Sequence, residues 1–206
     1  LNKLCDANSC LCKNKLGPGE ICGAGNDQAE CNKFNDQCDR YLTCDYANNS
    51  CQCTGPPVIE FVSPSGGFCQ DQPDSACQLD SDCAAGRCNQ SRPNGAVGNL
   101  MTIAGRYFLS YQLGVSQVAF SNGSNGWLPA QLASELNSNC QNSWTNEQII
   151  VVVPTGATSG PIKITNSNGS DTTNLSPGPA IEDWLLNNLE RPGLCSLQPT
   201  SGLLGQ

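Results

Sequence analysis

The chain has 206 residues, of which 15 are cysteine and none is histidine, and its net charge is −8 with only 10 Lys+Arg. That balance leaves nucleic acid or an anionic membrane no electrostatic foothold, and no apolar run approaches the roughly 18 residues that cross a bilayer. Without histidine no Ser-His-Asp or Cys-His arrangement can be assembled within these residues, and no G-x-S-x-G elbow, Walker loop or intact G-x-G-x-x-G is present, so no enzyme is expected.

A hydrophobic share of 38% with 21 Gly and 13 Pro favours many short strands over helices. The first residue is not Met and no signal-peptide pattern follows, so the chain reads as a mature or trimmed piece. In a reducing cytosol 15 thiols would need metal, yet no C-x2-C pair occurs. All of them, Cys5, Cys10, Cys12, Cys22, Cys31, Cys38, Cys44, Cys51, Cys53, Cys69, Cys77, Cys83, Cys88, Cys140 and Cys195, are therefore expected in disulfides, which implies an extracellular or cell-surface location.

In chain order, residues 1–12 (LNKLCDANSCLC) match residues 42–53 (LTCDYANNSCQC), with Cys5 on Cys44, Cys10 on Cys51 and Cys12 on Cys53. The chain thus opens on the tail of one cysteine-rich repeat, 1–12, and continues through a complete one, 13–56, holding Cys22, Cys31, Cys38, Cys44, Cys51 and Cys53. A partial third copy runs through Cys69, Cys77, Cys83 and Cys88, each spacing shorter by one. Between Lys13 and Pro57 the larger apolar side chains are only Leu16, Ile21, Phe34, Tyr41, Leu42 and Tyr46. So thin a core does not offset a chain entropy of about 1–2 kcal/mol per residue, whereas each bridge adds about 2–4 kcal/mol. The six cysteines allow fifteen pairings and the spacing selects none. The pattern loosely resembles small EGF-like or dickkopf-like extracellular modules.

Thr54-Gly55-Pro56-Pro57 marks a stiff boundary. Strand-like runs follow at Val58–Val62, around the alternating Met101 and Ile103, and at Val118 and Phe120. Within WTNEQIIVVVPTGATSGPIKIT, Gln148–Val153 is continuously apolar, as in a strand buried on both faces, and Ile162 to Thr165 alternates, as in a strand with one wet face. Ile181–Leu189 has either the spacing of a short amphipathic turn or the makings of a closing strand.

Taken together, Pro57, Ile59, Pro64 and Gly67; Met101, Thr102, Ile103, Gly105 and Phe108; Val118 and Phe120; and Trp144 through Gly169 resemble the motif order of an IPT/TIG domain. The resemblance implies an immunoglobulin-like β-sandwich over 57–175, and the expected fold class is all-β: that sandwich plus small disulfide-rich modules with little regular secondary structure. Two stretches depart from the family. The cysteine-rich insertion 68–92 occupies the first loop, and Asn122–Gln141 is a long loop containing Cys140. Residues 176–192 are expected as a linker and 193–206 as the first strand of a following IPT/TIG domain, because Pro192–Gly202 repeats the logic of Pro57–Gly67.

No cofactor is expected, with one candidate exception: Asp71, Asp74, Asp80 and Asp82 crowd the insertion with calcium-type oxygens, although the D-x-D-x-D-G order is missing and a solvated acidic loop is the plainer reading. Asn48, Asn89, Asn122, Asn168 and Asn174 head N-x-S sequons and are glycosylation candidates. Trp127 in the long loop is a candidate contact for a protein or glycan, Trp144 is expected in the core, and Trp184 is expected to pack between domains. Cys195 is left to pair with Cys140, with a further domain or with a neighbouring chain.

These readings converge on a non-enzymatic extracellular structural protein, a fragment of a tandem array forming a filament, stalk or hair-like appendage, with neighbouring domains or identical subunits as partners. The alternatives are an adhesin or receptor ectodomain that binds a protein or glycan, an arrangement similar to that of plexin-type receptors, and a non-catalytic appendage of a secreted hydrolase.

Overall fold

A computed structural model describes residues 3–5, 12–14, 16, 18, 20–23, 38, 41–47, 50–175 and 181–195. Among them, strands dominate. The front of the chain contributes β1 (Lys3–Cys5) paired with β2 (Cys12–Asn14), and a three-stranded sheet of β3 (Ile21–Gly23), β5 (Ser50–Thr54) and β4 (Thr43–Ala47). The expectation of an all-β, disulfide-rich chain is met. No helix among the described residues is long and apolar enough to cross a membrane.

Two four-stranded antiparallel sheets follow. The first has the order β13 (Gln131–Leu132), β14 (Gln148–Val152), β10 (Leu100–Arg106), β6 (Val58–Ser63); the second has β12 (Trp127–Pro129), β11 (Gln117–Ser121), β15 (Ile162–Asn166), β16 (Gly169–Thr172). Both rest on one apolar cluster. Ile59, Met101, Ile103, Ile149 and Val151 enter it from the first sheet, and Val118, Phe120, Ile162 and Ile164 from the second. The period of two that sequence alone shows in β10 and β15 is the period at which their side chains are buried. At Ala104/Gly105 the register between β10 and β6 shifts by a bulge, where a Cβ on Gly105 would sit 2.0 Å from the Val58 carbonyl oxygen.

The continuous apolar run of β14 has a specific cause. Ile149 and Val151 face the shared core, while Ile150 lies on the opposite side of the strand. There it packs with Ala133, of the helical turn Ala133–Leu136, and with Cys140, against Leu100 and Cys195. A second small core therefore covers the outer face of this strand at Ile150, between the exposed Gln148 and the half-buried Val152.

Residues 122–141, expected as a loop, contain β12, β13 and that helical turn, because Leu128 and Leu132 are drawn against the strands they pair with. The segment 181–195 also differs from a linker. Trp184, expected between domains, is fully buried in the main core, edge-on to Phe120 at 6.4 Å. Leu185–Leu186 forms a short strand, β17, parallel to β9 (Asn94–Gly95), so the closing-strand alternative is the one adopted. Asn94, with no exposed surface, fastens this strap: its amide donates to the Gly66 and Arg92 carbonyls, and its Oδ1 accepts from Asn187 and Arg191. Of the expected following strand, 196–206 lies outside the described residues, as do 176–180.

Candidate functional site

Five bridges are described, Cys22–Cys44, Cys38–Cys53, Cys69–Cys83, Cys77–Cys88 and Cys140–Cys195, and Cys51 is also disulfide-bonded. Of the three partners open to Cys195, it takes Cys140 of its own chain rather than a further domain or a neighbouring chain. The complete repeat and the insertion do not share connectivity. The first cysteine bonds the fourth in 13–56 but the third in 68–92, because the insertion lacks the C-x-C pair whose last member, Cys53, takes Cys38 in the repeat. Only the backbones of Cys5 and Cys12 are described, facing each other across β1 and β2, while Cys10, Cys31 and Asn48 lie outside the described residues.

The acidic insertion is organised by its own backbone. β7 (Phe68–Cys69) and β8 (Cys88–Asn89) pair at its base, and each of the four carboxylates accepts a backbone N–H. Asp82 takes Gln78 and Leu79, which lower its pKa; Asp71 takes Ala85, Asp80 takes Cys88, and Asp74 takes Asn188 of the strap. The charges are spent on loop closure rather than aimed at one point. The groups of three metal-type ligands found among the described residues are Cys22, Cys38 and Cys44, and Cys69, Cys77 and Cys83, all held in disulfides. Of the sequon asparagines, Asn168 and Asn174 are exposed, while Asn89 and Asn122 are half-buried and turn their Oδ1 onto local amides.

The front module and the sheets meet at one end of the two-layer body. Tyr107, in the β10–β11 connection, and Val58, at the start of β6, are buried in the same cluster as Cys22, Cys38, Leu42, Cys44, Cys51 and Cys53. At this end the β10–β11 connection holds Tyr107 and Leu109 in the left-handed region, φ 60° and 61°. For residues with a Cβ this costs about 1–3 kcal/mol each and is found where surroundings over-determine it. The surroundings here are explicit. Asn166 donates to the Tyr107 carbonyl at 2.7 Å, Asn146 accepts from Leu109 N–H at 3.0 Å, and Trp144 Nε1 donates to the Leu109 carbonyl at 3.1 Å.

The result is an aromatic ridge. The rings of Tyr111 and Trp144 lie 5.5 Å apart at 54°, with an open hollow on either side of about 290 Å³ and 540 Å³, each lined by both rings. Tyr111 is 39% exposed, while Trp144 leans one side on the main core and is not wholly interior as expected. No protein-family profile, no curated protein and no solved structure matches the chain.

What the ridge can do chemically follows from its borders. Gln112 and Asn146 line the larger hollow and Gln117 and Glu135 the smaller. The side-chain amides of Gln112 and Gln117, the Asn146 Nδ2 and the Glu135 carboxylate have no hydrogen-bond partner among the described residues. Beyond the ridge Leu113 is 88% exposed, at the tip of a turn closed by Ser116 N–H to the Gln112 carbonyl at 2.8 Å. The candidate contact expected from the sequence is Trp127 instead. That side chain lies on the outer face of the second sheet, with Lys163 Nζ 4.4 Å over its ring. The sequence signal for the ridge is SYQLGVS: three large apolar side chains at alternating positions in a segment too rich in turn residues to be a strand.

Proposed function

We propose that this chain is a non-enzymatic extracellular structural unit, an IPT/TIG-type immunoglobulin-like sandwich fronted by a cysteine-rich repeat, serving as one rigid link of a longer surface array. Supporting the sandwich assignment, the sheet orders β13-β14-β10-β6 and β12-β11-β15-β16 suit an immunoglobulin-like topology. The motif residues Ile59, Met101, Ile103, Phe108, Val118 and Phe120 also supply its core. The disulfides support an oxidising, extracellular setting.

The observation that carries the reading is the shared cluster at the module junction. Val58 and Tyr107 of the sandwich are buried among the cysteines of the repeat, across a connection stiffened by Pro56 and Pro57. An array transmits force and keeps its direction only if successive modules are fixed to one another, and a core common to both supplies that. Backbone 15N relaxation tests it. One rotational correlation time for 41–56 and 100–166 is expected in the wild type, and Tyr107→Ala is expected to split it in two. Independent tumbling of the two parts in the wild type would sink the proposal.

A further inference from the structure

We propose that the Tyr111–Trp144 ridge is a binding site for a neutral oligosaccharide. This goes beyond the structural role and does not depend on it. A sugar ring has two chemistries at right angles: an apolar C–H face and a rim of hydroxyls. The ridge and its borders match both. Tyr111 and Trp144 offer aromatic faces of the kind that stack on apolar ring faces, and the flanking hollows offer polar groups not engaged by the described residues, the Gln112 side chain and Asn146 Nδ2 on one side and the Gln117 side chain on the other.

Charge decides against the other ligands an aromatic pair takes. Among the described residues the larger hollow is lined by no charged side chain, but by Leu109, Ser110, Gln112, Thr145, Asn146 and Pro18 beside the two rings. No described residue there would pair an anionic sugar, a phosphate or a sulfate. A quaternary ammonium group needs aromatic faces that enclose it. These two rings form a ridge between hollows rather than a cage, with one carboxylate, Glu135, on one side.

The site is also built before any ligand arrives. Trp144 is pinned by its indole N–H to the Phe108 and Leu109 carbonyls, and the Leu109 amide is pinned by Asn146. The tip that carries Tyr111 is closed by Ser116, whose Oγ accepts from the Gln112 amide at 3.0 Å. The indole and the backbone that carry the ridge therefore have little conformational freedom left to lose on binding, which lowers the cost of holding a ligand in a shallow site. The hollows lie on both sides of the ridge, so a chain of several sugar rings, rather than a single one, fits the arrangement.

Calorimetric titration of the disulfide-intact chain tests the proposal, using cellohexaose, chitohexaose and mannohexaose as neutral probes. A polygalacturonate oligomer serves as the anionic probe and choline as the cationic one, each at up to about 5 mM so that Kd values near 1 mM register. At least one neutral hexasaccharide is expected to bind, and to shift the tryptophan emission through Trp144. Tyr111→Ala, at an exposed position outside the core, is expected to weaken it about tenfold or more. Tyr111→Phe should retain binding, and Trp127→Ala on the other sheet face should leave it unchanged. Binding of none of the neutral probes, binding equally strong in a Tyr111→Ala protein that melts with the wild type, or a preference for polygalacturonate or choline would each overturn it.

Discussion

Replacing Trp184 with alanine tests whether residues 181–195 belong to the folding unit. The side chain has no exposed surface and stands edge-on to Phe120, and its Nε1 has no hydrogen-bond partner among the described residues. An indole of about 200 Å² fully removed from water is worth roughly 5 kcal/mol at about 25 cal/mol per Å². A compact unfolded chain trims that to about 3.5 kcal/mol. Removing a buried, unpaired N–H offsets about 1–2 kcal/mol of the loss. The cavity restores about 1 kcal/mol of it if some 40 Å³ stays unfilled. The net cost is about 3 kcal/mol, or about 6–12 °C in Tm for a chain of this size. Urea denaturation followed by circular dichroism, with disulfides intact, measures it. Trp184→Phe keeps most of the ring and loses the unpaired N–H, so it is expected to cost under about 1 kcal/mol. An alanine variant within about 1 kcal/mol of wild type would refute the burial argument. A phenylalanine variant as costly as the alanine one would show that the indole nitrogen has a partner after all.

Serine at both Cys140 and Cys195 opens a loop of sequence separation 55, so chain entropy sets an upper cost of about 4 kcal/mol, read from the same denaturation curve. Non-reducing electrophoresis of the wild type should show no dimer through Cys195. Asp171 is buried where β16 meets β6, its two oxygens accepting the Ile59 and Thr172 amides, and burial raises its pKa above the ordinary 3.8 against the pull of those amides. A raised pKa means stability fully present below the unfolded value and lost as pH climbs through the folded one. The wild type is therefore expected to lose ground to Asp171→Asn from about pH 4 upward, and the opposite trend across a pH series of melts would overturn the assignment. Chelation by EDTA is expected to leave the melting curve in place, since Asp71, Asp74, Asp80 and Asp82 each already hold a backbone N–H; a drop in Tm restored by calcium would contradict this.

The strands that bury one face announced themselves in the residues. Met101 and Ile103, or Ile162 and Ile164, alternate because a sheet points successive side chains to opposite sides. The disulfide chemistry was equally legible, since 15 cysteines without histidine have few other uses. Partner choice was not, because a bridge needs two cysteines brought together by folding, and the repeat and the insertion close in different orders from similar spacing. Trp184 was misread for a related reason. Its neighbours in sequence are those of a linker, and its neighbours in space, Phe120 and Gly95, lie 64 and 89 positions earlier. The ridge was hidden because the alternation of Tyr111, Leu113 and Val115 falls among turn residues, where it marks no strand.

The insertion and the strap explain each other. Trp184, with Ile181 and Leu186, holds 181–195 to the main core, and the polar groups of this segment are shared with 68–92 and the residues beside it. Asn187 donates to the Pro73 carbonyl, Asn188 N–H to Asp74, Arg191 to the Gly67 carbonyl, and Arg92 to the Asp183 carbonyl. Gly67 has no room for a side chain, since a Cβ there would lie 1.9 Å from the Cys77 carbonyl oxygen. The two cross-links inside the insertion therefore stiffen the surface against which the strap is held, and Trp184 locks that strap into the body. Cys140–Cys195 then fixes the far end. Opening the insertion's bridges should loosen the C-terminal segment, although neither bridge includes a residue of it.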